Sequence, residues 1–219
     1  MPFKVRKRKM NKNKERADKL AQELVNNLNF NVTKEAAENE KHQLISLLLK
    51  ALTFSAEKHR TQKRKDIDKS PYINHPIALA NILAQRWVID ENVLCAAILH
   101  DTLEDTETTV DELKSHFGEK ITSIVLEVTD DKSLDKKVRK QLQIDHAASL
   151  SYEAKLVKLA DKIANITDII NTPPANWNKE RKLEYFAWAK AVVANLRGAH
   201  QGLEKDFDDL INSTRIILN

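Results

Sequence analysis

His100, Asp101, Glu104 and Asp105 close an almost wholly apolar run, Leu94-Cys95-Ala96-Ala97-Ile98-Leu99. On a continuous helix residues four apart share a face, which pairs His100 with Glu104 and Asp101 with Asp105. Ionised groups at the edge of a core are costly unless paired or bound to metal, so the cluster points to chemistry. Two distant positions extend it: His75, within Pro71-Tyr72-Ile73-Asn74-His75-Pro76, and Asp161, within a helical stretch that also carries Asn165. Singly, each has a plain reading, a surface histidine at a helix start and an exposed helical aspartate. Together, His75, His100, Asp101 and Asp161 offer two imidazoles and two carboxylates from three predicted helices. That mixed N/O set suits a borderline-to-hard divalent cation such as Mn, Fe or Mg rather than a thiolate metal. With coordination positions left for water and a phosphate oxygen, it supports metal-assisted hydrolysis. Glu104 and Asp105 would orient or deprotonate the water.

The elements that must position these groups read as helices throughout. Leu44, Ile45, Leu48, Leu49, Leu52 and Ala56 give a helix over His42–His59. Asn74 is read as an N-cap with Pro76 in the first turn, opening a helix to about Val88 with His75 at its start. The Leu94–Asp105 helix follows. Thr109-Val110-Asp111-Glu112 is a capping-box pattern for a helix that Gly118 ends, and residues 119–129 and 134–149 continue as amphipathic helices. Residues 155–170 make a helix that Thr172-Pro173-Pro174 breaks. A long helix spans Asn178–Arg197 with Gly198 after it, and residues 200–218 add a last one. The fold class is all-α.

Composition narrows the context. The 219 residues hold only 3 Gly and 5 Pro, against a turn-rich β architecture, and a single cysteine, Cys95, read as a small buried hydrophobe. No disulfide can form within the chain. No apolar stretch approaches the roughly 18 residues that span a bilayer, and no signal-peptide pattern follows the N-terminus; a soluble, cytoplasmic protein is expected. The net charge of +4 is unevenly placed. Residues 1–20 hold nine Lys or Arg against Glu15 and Asp18, a net of +7, which leaves −3 for residues 21–219. The basicity belongs to residues 1–40, read as a flexible extension with a short amphipathic helix at Leu20, Leu24, Val25 and Leu28, and not to a domain over 41–219. Nucleic acid is therefore not the expected partner of the domain.

Several stretches resemble a known family. His75, His100-Asp101 and Asp161 follow the ligand order of the HD-domain phosphohydrolases. Lys58-His59-Arg60, Gln62, Arg64-Lys65, Pro71–Pro76, Leu99–Thr102 with Glu104-Asp105-Thr106, Phe117-Gly118, Val128–Lys132, and Lys158–Lys162 with Asn165 are similar to the hydrolase domain of the RelA/SpoT proteins. The likeness is greatest to its stand-alone form, the small alarmone hydrolases of metazoan SpoT-homologue type. Thr172-Pro173, Trp177, Arg181, Glu184-Tyr185-Phe186 and Trp188-Ala189 extend it to about residue 205.

That resemblance implies an all-helical HD-domain fold, one Mn²⁺ held by His75, His100, Asp101 and Asp161, and removal of the 3′-pyrophosphate from (p)ppGpp with Glu104 and Asp105 serving the water. It also implies substrate contacts from Arg64, Lys65, Lys136, Asn165, Arg181 and Tyr185. Arg64 and Lys65 sit in a cationic connector that would otherwise read as wet surface; a highly anionic nucleotide needs such cations. The chain departs from the family's long forms in two ways. It carries no synthetase half, so alarmone synthesis is not expected, and its connector at Asp66–Ser70 lacks their glycine. Within the same chemistry, an NADPH phosphatase or a (p)ppApp hydrolase is the alternative. A two-metal HD phosphodiesterase is disfavoured by the missing Gly-Tyr-Pro element, and a non-catalytic binding module by the intact ligand set.

Overall fold

The computed structural model describes the backbone of residues 3–217; the side chains of residues 1–18, 21, 25–32 and 215–219 lie outside the described ones. The chain divides into two units, Met1–Ser46 and Leu47–Asn219. Helix α1, Phe3–Lys58, is continuous, where the sequence suggested a short helix near Leu20 and a second from His42. Its described side chains up to residue 43 are exposed, Leu20 and Leu24 included, and Lys19–Glu23 and Lys34–Glu38 pair one turn apart. The apolar face expected from Val25 and Leu28 lies outside the described side chains, as do the charges of residues 1–18.

The second unit is built from helices alone among its described residues, joined by short loops and by a long connector over residues 59–73 that makes two isolated bridges, Lys63 to Pro71 and Asp66 to Pro174. The helices are α2 (Asn74–Gln85), α3 (Glu91–Leu99), α4 (Thr102–Asp105), α5 (Val110–Val128), α6 (Lys136–His146), α7 (Tyr152–Asn171), α8 (Lys179–Ala194) and α9 (Gln201–Ile217). Most begin at a side-chain cap, which satisfies amide groups that the helix cannot. Asp90 accepts from Asn92 and Val93, Thr109 from Glu112, Asp135 from Lys137, Ser151 from Ala154 and Asn178 from Arg181.

Helix α7 is central and packs against α2, α3, α5, α8 and α9. Its buried residues run almost all round the helix, Leu156 to Ile169, as a helix enclosed by five neighbours requires. Helix α3 is its hydrophobic counterpart, with Val93 through Leu99 buried without interruption. Cys95 is among them, and burial pushes its thiol up to about 12, which confirms its reading as core.

Four local readings change. Ile73 precedes α2 with no side-chain cap, so Asn74 is the first helical residue and not the cap. Helix α2 ends at Gln85, where Trp87 turns into the left-handed region at φ 62°. Helix α8 stops at Ala194, and Gly198 takes its positive φ of 89° within the following turn. The Leu94–Asp105 helix is broken: α3 ends at Leu99, and Asp101 has φ −100° and ψ 0°. Thr102 supplies a reason, since its hydroxyl donates to the Leu99 carbonyl at 2.7 Å and competes with the helical ladder there. Gly118, by contrast, interrupts α5 at φ 78° where a break was expected.

Candidate active site

The break after Leu99 separates groups that a continuous helix would have stacked. His100 turns its Nδ1 to the Ala97 carbonyl, 2.8 Å away. That bond places the Nδ1 proton and leaves Nε2 as the lone-pair nitrogen. Nε2 is buried with no hydrogen-bond partner, 2.9 Å from Oδ2 of Asp101. His75, on the first turn of α2, sets Nε2 3.3 Å from Oδ1 of Asp161 on α7, and its Nδ1 is also buried and unpartnered. The imidazoles of His75 and His100 stand edge to face, 5.3 Å apart.

One ligand atom from each of His75, His100 and Asp161 falls within a 4.8 Å set. Asp101 flanks this set through its contact with His100, and its carboxylate accepts from the Tyr72 hydroxyl. An unpartnered buried imidazole nitrogen beside a carboxylate, as at His100 Nε2, is what a divalent cation would compensate, so the donor chemistry fits one. The electrostatics agree for Asp101, Asp161 and His75. Burial opposes the charge of Asp101, yet His100 and His75 hold its carboxyl below the ordinary range. Burial likewise opposes Asp161, and Lys162 and His75 hold it well below. Burial pushes His75 down. For His100 the same burial effect is outweighed by Asp101 and Asp161, which raise it.

Glu104 and Asp105 have diverged in environment. Burial, with Asp101 nearby, raises Glu104 to about 7, even though its Oε2 accepts from the Asp130 amide at 3.2 Å and Arg139 stands 3.7 Å from Oε1. Asp105 is tied on both oxygens, by Gln62 Nε2 at 2.8 Å and by the ammonium of Lys132. Glu104 is therefore suited to accept a proton near neutrality, while Asp105 is a fixed acceptor.

These groups line a cleft of about 1060 Å³. Arg64, Lys65, Lys136, Asn165, Arg181 and Tyr185 all line it. Arg64 is held by Asp168 at 2.5 Å and by Asn165 at 3.3 Å, and Asn165 donates to Oδ1 of Asp161. Tyr185 packs between Trp177 and Trp188, and the Arg181 guanidinium covers the Trp177 ring at 4.7 Å.

Sequence reasoning assigned no role to Gln62, Tyr72, Lys132, Arg139, Lys158, Lys162 or Asp168, all of which line the same cleft. Lys162 could have been found from its place beside Asp161. Lys158 had a weaker signal, lying one turn before Asp161; it is buried, its ammonium is lowered by that burial, and it donates to the Val128 carbonyl at 2.8 Å. Asp168 lies on α7 three residues after Asn165 and seven after Asp161, a helical spacing that could have found it. Gln62, Tyr72 and Lys132 come from loops and Arg139 from α6, where spacing along the chain carries no information about contact.

Comparison with known proteins gives a consistent answer. Residues 51–190 match the HD domain family. The guanosine-3′,5′-bis(diphosphate) 3′-pyrophosphohydrolase MESH1 of Xenopus tropicalis is 51% identical over 166 residues, covering 75% of this chain and 93% of that protein. Its counterpart from Drosophila melanogaster is 45% identical over 170 residues, covering 77% and 95%. A solved structure described as a metazoan orthologue of SpoT that hydrolyses ppGpp superposes with a TM-score of 0.74 at 46% identity, covering 77% of this chain and 95% of that one.

Proposed function

The chain belongs to the HD-domain family, and from that premise we propose that it is a guanosine-3′,5′-bis(diphosphate) 3′-pyrophosphohydrolase, releasing diphosphate from ppGpp or pppGpp to leave GDP or GTP. The observation that carries the reading is the convergence of His75, His100 and Asp161 within 4.8 Å at a cleft lined by cations, in a chain half identical to hydrolases of that name.

His75, His100, Asp101 and Asp161 would hold one Mn²⁺, for which a mixed imidazole and carboxylate set is apt. Bound there, the ion supplies a Lewis acid that polarises a phosphorus–oxygen bond and lowers the pKa of a water. Glu104, raised to about 7, would take the proton from the attacking water. Asp105 accepts a hydrogen bond that aims it. Arg64, Lys65 and Lys136 neutralise the phosphates, while Asn165, Arg181 and Tyr185 complete the substrate contacts from α7 and α8. Residues 1–40 are an extension outside the hydrolase domain of residues 41–219.

Among the described residues no helix is long and apolar enough to cross a membrane, and the reading places the enzyme in the cytoplasm with its nucleotide substrate. The test is parallel incubation with ppGpp, ppApp and NADPH, with Mn²⁺ or chelator. Mn²⁺-dependent turnover of ppGpp well above the other two supports the proposal. Phosphate release from NADPH without turnover of ppGpp overturns it.

A further inference from the structure

His59 lies one residue past α1, is 2% exposed, and touches neither the ligand set nor the open cleft. Its Nδ1 is 2.6 Å from Oε1 of Gln62, and the same Gln62 side chain donates from Nε2 to Oδ2 of Asp105 at 2.8 Å. The chemistry of this chain of bonds fixes its direction. An ionised carboxylate only accepts, so the Gln62 amide must present NH₂ to Asp105 and its carbonyl oxygen to the imidazole. His59 must then carry its proton on Nδ1. Its Nε2 is buried with no hydrogen-bond partner. Moving the proton there would strand a buried N–H and set two lone pairs against each other, a double cost.

The ring also braces the other side of the site. It lies on Tyr72 with centroids 4.8 Å apart, and the Tyr72 hydroxyl donates to Asp101. Gln62 and Tyr72 are themselves joined, since the Tyr72 amide donates to the Gln62 carbonyl at 3.1 Å. Burial raises the Tyr72 phenol far above its ordinary value, so the hydroxyl remains a donor.

We propose that His59 is a positioning residue for the hydrolysis: as its Nδ1–H tautomer it sets the orientation of the Gln62 amide, and Gln62 in turn holds Asp105 at the angle from which it aims the water. The inference deepens the proposed reaction and rests on it for the role of Asp105. The hydrogen-bond relay does not rest on it.

Two measurements on the full chain separate these layers. Imidazole ¹⁵N NMR reads the tautomer without any substrate. The unmodified chain should show His59 protonated on Nδ1, and Gln62→Leu, which removes the acceptor, should shift it toward Nε2–H. An Nε2–H form in the unmodified chain overturns the relay whatever the substrate. The second measurement is steady-state kinetics of His59→Phe, which keeps a ring on Tyr72 but removes the donor. We expect kcat to fall about tenfold with KM within twofold, and no further loss when His59→Phe is added to Gln62→Leu, because residues acting through one hydrogen bond are not additive. Additive losses, or an unchanged kcat in His59→Phe, overturn the positioning role. If ppGpp is not turned over but another phosphate ester is, the substrate reading fails, and the same cycle on that ester still decides the role of His59.

Discussion

Lys162 Nζ lies 2.8 Å from Oδ2 of Asp161, and the Trp188 ring covers the same ammonium at 4.4 Å. Lys162 is buried, 3% exposed, and its ammonium also donates to Gln143, while the Asp161 side chain is 13% exposed. The ammonium is thus a built-in counter-charge for a carboxylate that would also bind a divalent cation. Lys162→Met should leave Asp161 without its nearest cation and destabilise the chain in chelator by about 3 kcal/mol, since removing one member of a buried pair is costly. Mn²⁺ should recover more stability in this variant than in the parent. Thermal melts with and without metal read the difference, and equal metal-induced shifts in the two proteins would refute it.

Glu104 predicts the pH dependence. Its pKa is raised from an ordinary 4.5 to about 7, so the basic form fills only as pH rises through 7. The rate should climb with pH below that point and level off above it, with Glu104→Gln losing both the rate and the limb. The stability sign is opposite. Between about 4.5 and 7 the folded state holds a proton that the unfolded chain has lost, so this carboxyl's contribution weakens as pH rises. A pH–rate profile that falls through 7 would contradict the general-base assignment.

Arg64 is pre-set by Asp168 and Asn165, which fixes its guanidinium before any substrate arrives. Arg64→Ala should raise KM by roughly ten- to a hundredfold, with a smaller effect on kcat, as expected when one phosphate-binding cation is removed and the rest of the site stays in place. Asp168→Asn should give a weaker version of the same change. An unaltered KM in Arg64→Ala would show that the guanidinium does not bind substrate.

Removing residues 1–35 should leave hydrolysis intact, because every group assigned to the cleft lies in Leu47–Asn219. Comparing kcat/KM of the shortened and full chains checks this, and a large loss would show that the extension takes part in catalysis.

The site was legible in the sequence where chemistry-bearing residues interrupt apolar periodicity. His100-Asp101 ends the buried run from Val93 to Leu99, and Asp161 stands on the most enclosed helix; both positions carry a desolvation cost that marks them as candidates. The helices were legible through periodicity and through the capping box at Thr109. What the sequence hid was cross-chain pairing. Gln62 to Asp105 spans 43 residues and Tyr72 to Asp101 spans 29, and nothing local marks either bond. The helix break at Asp101 was hidden because Thr102, a small polar residue, reads as neutral until its hydroxyl is seen on the Leu99 carbonyl. Lys69 shows the reverse case. The connector lacks a glycine, yet Lys69 takes φ 49°, in the region that glycine favours, while Asp66 secures the turn by accepting from the Ser70 amide and hydroxyl.

The proposed reaction requires that His75, His100, Asp101 and Asp161 hold a metal that serves cleavage of a 3′-pyrophosphate. This requirement is met or broken in ³¹P NMR of ppGpp incubated with the full chain, compared with His75→Ala and Asp161→Ala, each with Mn²⁺ or chelator. We expect diphosphate and GDP in equal amounts from the unmodified chain with Mn²⁺, and no products from either variant or in chelator. Orthophosphate as the product, or full turnover by either variant, would contradict the assignment.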